Sequence, residues 1–168
     1  MAVTPDDFDL STLSFLIVDD NQHMVSILRE VLRAFGVTKT HTARDAADAL
    51  ELAQTVPIDI AIVDYLMDPL DGLDFIRLIR TATDSPNARL PIILLTAYTE
   101  SFRVREARDA GATDVVRKPI SAEFLYKRIQ SLLKNNRDFI TNRSFVGPDR
   151  RRRHDVEYSG SERRTSSE

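Results

Sequence analysis

Short unbroken apolar runs alternate along this chain with stretches whose apolar positions recur three and four residues apart. Residues 13–18 (LSFLIV) are the first run, closed by the polar pair Asp19 and Asp20, and they read as a strand buried on both faces. From Met24 onward Val25, Ile27, Leu28, Val31, Leu32 and Phe35 fall at helical spacing, with Gly36 where a C-terminal cap belongs. The alternation continues with a short strand at 39–43, a helix at 46–53, and a second buried run at 58–63 (IDIAIV) that stops at Asp64. Leu73, Phe75, Ile76, Leu78 and Ile79 make an amphipathic helix after Gly72, and residues 92–95 (IILL), after Pro91, form the most apolar strand, closed by Thr96. A helix at 101–110 is stopped by Gly111, a short strand follows at 114–117, and a last helix at 122–133 has Ser121 at its N-cap.

Five strands alternating with five helices predict an α/β fold, a doubly wound parallel sheet covered on both faces, because parallel neighbours need helical crossovers. In such sheets ligands sit beyond the carboxyl ends of the strands. The residues at those ends are polar: Asp19 and Asp20 after the first strand, Asp64 ending the third, Thr96 the fourth, and Lys118 after the fifth. These side chains are expected to converge. Three gathered carboxylates repel one another and stay ionised only if cations are supplied. Lys118 supplies one charge, and a hard divalent cation, Mg²⁺, supplies more. With a phosphoryl oxygen polarised by the metal, a carboxylate can attack phosphorus and form an acyl phosphate. Lys118 can then pair with one phosphoryl oxygen and the Thr96 hydroxyl can bond another, which makes a switch.

Composition narrows the setting. The 168 residues suit one ordinary domain, and the absence of cysteine excludes disulfides, thiolate metal sites and cysteine nucleophiles. No apolar run approaches the roughly 20 residues of a membrane span, and the acidic N-terminus is unlike a secretory signal, so a cytoplasmic protein is expected. The net charge of −3 hides an asymmetry: residues 136–168 carry eight arginines and six acids (net +2), against fifteen bases and twenty acids before them (net −5). The acidic body is a poor match for DNA phosphates, and the 33 residues of 136–168 are too few for an independent output domain, so no DNA-binding domain is expected. The chain divides into a leader at 1–12, a domain at 13–135, and an arginine-rich tail at 136–168 whose composition predicts a disordered or fold-on-binding segment.

The motifs FLIVDD, DYLMDPLDG from Asp64, LLTA at the fourth strand and RKP at the fifth, in this order and spacing, make the segment 14–135 resemble the response-regulator receiver domain of two-component signalling, chemotaxis-type and stand-alone. The resemblance implies a flavodoxin-like (βα)5 fold. It also implies that Asp64 is the phosphoacceptor, Asp20 a direct Mg²⁺ ligand, Asp19 a ligand acting largely through water, and Leu66 a donor through its backbone carbonyl. Thr96 matches the switch position, and Lys118 the phosphate-pairing lysine, whose bond to Pro119 is usually cis in the family. The implied donors are a histidine kinase or a phosphotransfer protein, and the output is binding of a downstream protein. Catalysis is limited to self-phosphorylation and self-dephosphorylation, so no enzyme acting on external substrates is expected. Two positions depart from the family pattern. Asp68 stands where a proline is usual, with Pro69 one place later, and Val115 replaces an aromatic switch residue, leaving Tyr98 as a candidate for part of that role.

Other residues take plainer readings. His23 is a surface residue beside the acids, His41 and His154 lack partners at ligand spacing, and Phe102 and Phe124 are expected to pack in the core. In the tail, Arg150, Arg151, Arg152 and Arg153 present four adjacent guanidiniums suited to bidentate phosphate contacts, and Arg163 and Arg164 repeat the theme. With Arg152 and Asp155 at R-x-x-D spacing, the tail resembles those of stand-alone receivers that bind cyclic di-GMP, which makes a cyclic dinucleotide or another polyanion the alternative input.

Overall fold

The computed structural model of the chain describes residues 8–85, 87–98, 100–135, 139–141 and 146–148. Strands β1 (Ser14–Val18), β2 (Lys39–Ala43), β3 (Ile60–Asp64), β4 (Ile92–Thr96) and β5 (Asp114–Arg117) form one sheet in the order β2-β1-β3-β4-β5. Every neighbouring pair is parallel. Each connection carries a helix: α1 (Gln22–Ala34), α2 (Ala46–Thr55), α3 (Gly72–Thr81) and α4 (Ser101–Ala110), with α5 (Ala122–Lys134) after β5. The expected flavodoxin-like architecture is therefore the one observed.

Period-two alternation along the strands builds two core layers. Leu16, Val18, Ala61, Val63, Ile92 and Leu94 face α2, α3 and α4. Phe15, Ile17, Ile60, Ile62, Ile93 and Leu95 face α1 and α5. The three central strands are buried along their whole length, which explains their unbroken apolar runs. Local caps set the helix starts. Asn21 Oδ1 accepts the His23 and Met24 N–H groups at 3.0 and 3.3 Å, and Asp71 with Asp74 forms a reciprocal capping box on α3.

Two expectations change, those for Phe102 and Phe124. Leu10, for its part, lies in a 3-10 turn capped by Asp9 and is buried in the α1/α5 layer. Phe102 and Phe124 are 54% and 45% exposed instead of packed. The inner face of α4 is set by Ala107 and Ala110, and that of α5 by Leu125 and Ile129. One helical residue turns the side chain by about 100°, which swings Phe124 off the core line that Leu125 holds. Both rings instead lie beside guanidiniums, Phe102 at 5.1 Å from that of Arg103 and Phe124 at 5.6 Å from that of Arg128.

Two further short strands lie among the described residues of the C-terminal segment. Phe139–Thr141 (β6) and Val146–Pro148 (β7) pair as an antiparallel ladder, and β7 lies against α3 and α4. Averaging composition over 136–168 hid the apolar, β-branched start of this segment behind its arginines. Gly147 and Pro148 are buried. At Gly111 the backbone has φ +108°, and a Cβ there would fall 2.8 Å from the Val146 carbonyl oxygen, so glycine is required twice over. Beside it Arg80, 3% exposed, donates through Nε to the Gly111 carbonyl (3.0 Å) and through Nη1 to that of Ala88 (2.9 Å). Burial lowers its pKa to about 10, which still leaves it charged at neutral pH. Arg150, Arg151, Arg152, Arg153, His154, Arg163 and Arg164 lie outside the described residues.

Candidate functional site

The carboxyl edge of the sheet brings together the residues expected there. One carboxylate oxygen from each of Asp19, Asp20 and Asp64 lies within 4.8 Å of the others. Asp19 and Asp64 are buried and Asp20 is exposed. Lys118 reaches in from the end of β5, with Nζ 2.5 Å from Asp64 Oδ1 and 3.9 Å from Asp19 Oδ2. The Lys118–Pro119 peptide is cis, and so is Asp68–Pro69. Thr96 is buried at the end of β4, where its carbonyl accepts the Lys118 N–H (2.8 Å) and its Oγ1 accepts the Tyr98 N–H (3.0 Å). Leu66 follows two residues after Asp64 with its side chain 55% exposed. His23 is exposed, as expected.

The electrostatics are those of an under-neutralised acid cluster. Burial raises the pKa of Asp64 above the carboxylate norm, against the lowering effect of the Lys118 hydrogen bond and charge. Burial also raises that of Asp19, with the Asp64 charge adding to it and the Asn21 N–H (2.8 Å to Oδ1) opposing it. Asp19 Oδ2 is buried without a hydrogen-bond partner among the described residues. A buried carboxylate oxygen left with only an ammonium at 3.9 Å wants a cation, and an all-oxygen carboxylate set suits a hard one such as Mg²⁺. The residues present therefore fit that metal.

The loop leaving β3 is held tightly. Gly72 donates its N–H to the Tyr65 carbonyl (3.0 Å), and a Cβ at Gly72 would fall 2.3 Å from the Asp64 carbonyl oxygen and 2.8 Å from Leu94 Cδ1. Only glycine lets α3 start this close to the acid, which gives the Asp71-Gly72 pair a packing reason.

A polar cluster next to the acids was not foreseen. The ring of Tyr65, immediately after Asp64, meets that of Tyr98 edge to face at 5.4 Å. Its hydroxyl accepts from Arg103 Nη1 and donates to Glu106 Oε2, both at 3.1 Å. Burial raises the Tyr65 pKa, the Arg103 bond opposing this and Glu106 adding to it, so the phenol keeps its proton. Glu106 continues to Arg77 on α3 at 3.7 Å. The partners lie 38 and 41 residues from Tyr65 in the chain, and periodicity carries no information at that range.

The fold and this edge define a doubly wound α/β protein of flavodoxin-like class, with an acidic site at the carboxyl ends of its strands. Residues 15–130 match the response regulator receiver domain, and the chain belongs to that family. It is 31% identical over 122 residues to the chemotaxis protein CheY of Pseudomonas aeruginosa, covering 73% of this chain and 97% of that protein. Among solved structures, Vibrio cholerae chemotaxis protein CheY4 matches at a TM-score of 0.65 and 30% identity, covering 71% of this chain and 97% of that one. A putative response regulator from Chloroflexus aurantiacus matches at 0.67 and 28%, covering 73% and 98%. Receiver domains are phosphoryl-accepting signalling proteins of two-component systems that interact with histidine kinases or phosphotransfer proteins and bind Mg²⁺ at an aspartate cluster. No described helix is long and apolar enough to cross a membrane. The matched residues end before Arg150, and nothing in these relatives bears on a cyclic dinucleotide.

Proposed function

We propose that this chain is a response regulator that takes a phosphoryl group on Asp64 from a histidine kinase or phosphotransfer protein and signals by binding a downstream protein. The observation that carries this reading is the Lys118 ammonium seated on Asp64 among three carboxylates that lack enough positive charge. Asp19, Asp20, Asp64 and the Leu66 carbonyl would hold Mg²⁺, which would supply positive charge to the phosphoryl oxygens. An Asp64 carboxylate oxygen attacks phosphorus, an O–P bond forms, and the bond from phosphorus to the donor's leaving atom breaks. Lys118, already at the acceptor, keeps its charge beside the group that arrives and pairs with a phosphoryl oxygen. The Thr96 hydroxyl, at the adjacent strand end, bonds another. Catalysis is confined to this self-phosphorylation and to hydrolysis of the acyl phosphate, in which a water oxygen bonds phosphorus, the Asp64 O–P bond breaks and inorganic phosphate leaves.

The test is phosphorylation by acetyl phosphate, read by intact mass with and without Mg²⁺. Wild type is expected to gain one phosphoryl group only with the metal, and Asp64→Asn none. Equal uptake by Asp64→Asn moves the acceptor elsewhere, and no uptake by wild type removes the reading.

A further inference from the structure

We propose that the groove between α1 and the edge strand β2 binds a small phosphate monoester, with the phosphate on Arg29 and Arg33 and the hydroxylated body on Glu30 and Thr40. The groove shares no residue with the acidic site and does not depend on phosphoryl transfer to Asp64. Strand β2 ends the sheet, so only one of its flanks is paired. Ala43 faces the α2, α3 and α4 layer, and period-two alternation turns Thr40 toward α1 instead. On β1 the side chains facing that way are Phe15 and Ile17, whereas here the floor is Thr38 and Thr40. Helix α1 buries Val25, Leu28 and Leu32. Over the polar floor it presents Ser26, Arg29, Glu30 and Arg33, spaced three and four residues apart along one flank. The groove measures about 550 Å³, within the size range of small-molecule sites.

Its donors are uncommitted. Arg29 and Arg33 make no hydrogen bond or ion pair among the described residues, and neither does the Thr40 hydroxyl. Thr38 Oγ1, by contrast, donates to the Ser11 carbonyl (2.9 Å), and Ser26 Oγ to that of Gln22 (3.0 Å). Like charges one helical turn apart repel, and on α5 the chain instead pairs its bases, Lys127 with Glu123 and Arg128 with Asp114. A phosphate removes that repulsion. Its two negative charges match the two guanidiniums, whose planar forks hold tetrahedral oxygens in pairs. Cβ atoms four residues apart on a helix are about 5–6 Å from each other, close enough for both forks to reach one phosphate. Glu30 repels a phosphate, so it belongs with the rest of the ligand, where its oxygens accept from hydroxyl groups beside Thr40. This favours a monoester with a hydroxylated body over inorganic phosphate. It also disfavours an acidic peptide, whose carboxylates bring one charge each.

The experiment is a titration of the isotope-labelled full chain, free of Mg²⁺, with glycerol phosphate, inorganic phosphate and sodium chloride at matched ionic strength. The readout is the NMR signals of the arginine Nε–H groups and of the amides of residues 26–40. Glycerol phosphate is expected to saturate the Arg29 and Arg33 signals with half effect at about 1 mM, and inorganic phosphate to bind about tenfold more weakly, the worth of one hydrogen bond to a charged group. Arg29→Gln and Arg33→Gln, both at exposed positions, should each weaken glycerol phosphate about tenfold or more with no fall in melting temperature. Glu30→Ala should bring the two phosphates to equal affinity. Shifts that sodium chloride reproduces, or that Arg44 and Arg105 share equally, are those of a loose counter-ion atmosphere and overturn the site. Unchanged binding in both arginine variants overturns it as well. Equal affinity of the two phosphates for wild type overturns the role given to Glu30 and Thr40.

Discussion

The two ends of the sheet treat buried charge in opposite ways. At the amino edge, Arg80 of α3 is sunk beside β7 and the end of α4, and main-chain carbonyls meet its Nε and Nη1 at 3.0 and 2.9 Å, while its Nη2 is buried without a hydrogen bond among the described residues. At the carboxyl edge, three carboxylates share one lysine, and Asp19 Oδ2 is buried with no hydrogen-bond partner among the described residues. A guanidinium facing fixed dipoles gains stability without changing state. A carboxylate cluster short of positive charge is costly as it stands, and binding a cation or a phosphoryl group relieves or redistributes that cost. The difference separates a structural use of charge from one kept ready for a ligand.

The largest effect should come from the amino edge. Arg80→Ala leaves carbonyls and a cavity where the guanidinium was, and is expected to cost about 3 kcal/mol in urea unfolding while sparing phosphoryl uptake. A loss below about 1 kcal/mol would mean that the guanidinium is not the anchor described. Next comes the hairpin that covers it. Ending the chain after Asn135 is expected to lower stability by about 1–2 kcal/mol, since Gly111 and Arg80 lose β7, whereas ending it after Pro148 should leave the melting temperature unchanged. Equal melting temperatures for the two truncations would show that β7 contributes nothing.

The smallest effect has the opposite sign and sits at the carboxyl edge. Asp19→Asn keeps an acceptor for the Asn21 N–H and removes a crowded charge, so metal-free protein should gain about 1 kcal/mol at pH 7 while binding Mg²⁺ more weakly. The pH dependence follows from the raised pKa values of Asp19 and Asp64. The folded state holds protons that the unfolded chain releases. The associated stability is therefore full below the ordinary 3.8 and is lost as pH rises through the raised values. Metal-free wild type should accordingly become more stable on acidification through that window, and Asp19→Asn should show a shallower slope. Thermal melts from pH 7 down to 4 would test this, and parallel curves would refute it.

Most of the sheet was legible because each central strand is apolar throughout and stops at a polar residue. Parallel strands joined by helical crossovers put all their carboxyl ends at one edge, which is how Asp19, Asp20, Asp64, Thr96 and Lys118 were expected together, whereas the order β2-β1-β3-β4-β5 came only from the structure. Strand and helix limits shifted by a residue or two, as at β3, where Ile58 is buried but precedes the pairing that starts at Ile60. Hydrophobic spacing misjudged Phe102 and Phe124, because an apolar ring one position off a helix's inner face covers a cation as readily as it fills a core.

By itself, the sequence determined the alternation of strands and helices, and with it the gathering of an acid cluster at one edge, since local periodicity and covalent connectivity are written residue by residue. Tertiary structure alone decided what depends on groups far apart in the chain. Tyr65 meets Arg103 and Glu106 only once β3 and α4 lie side by side. Likewise, Val146 reaches Gly111 and Arg80 only after α3 and α4 have built the surface on which β7 rests. Such contacts are set by packing of already formed elements, and no local pattern encodes them.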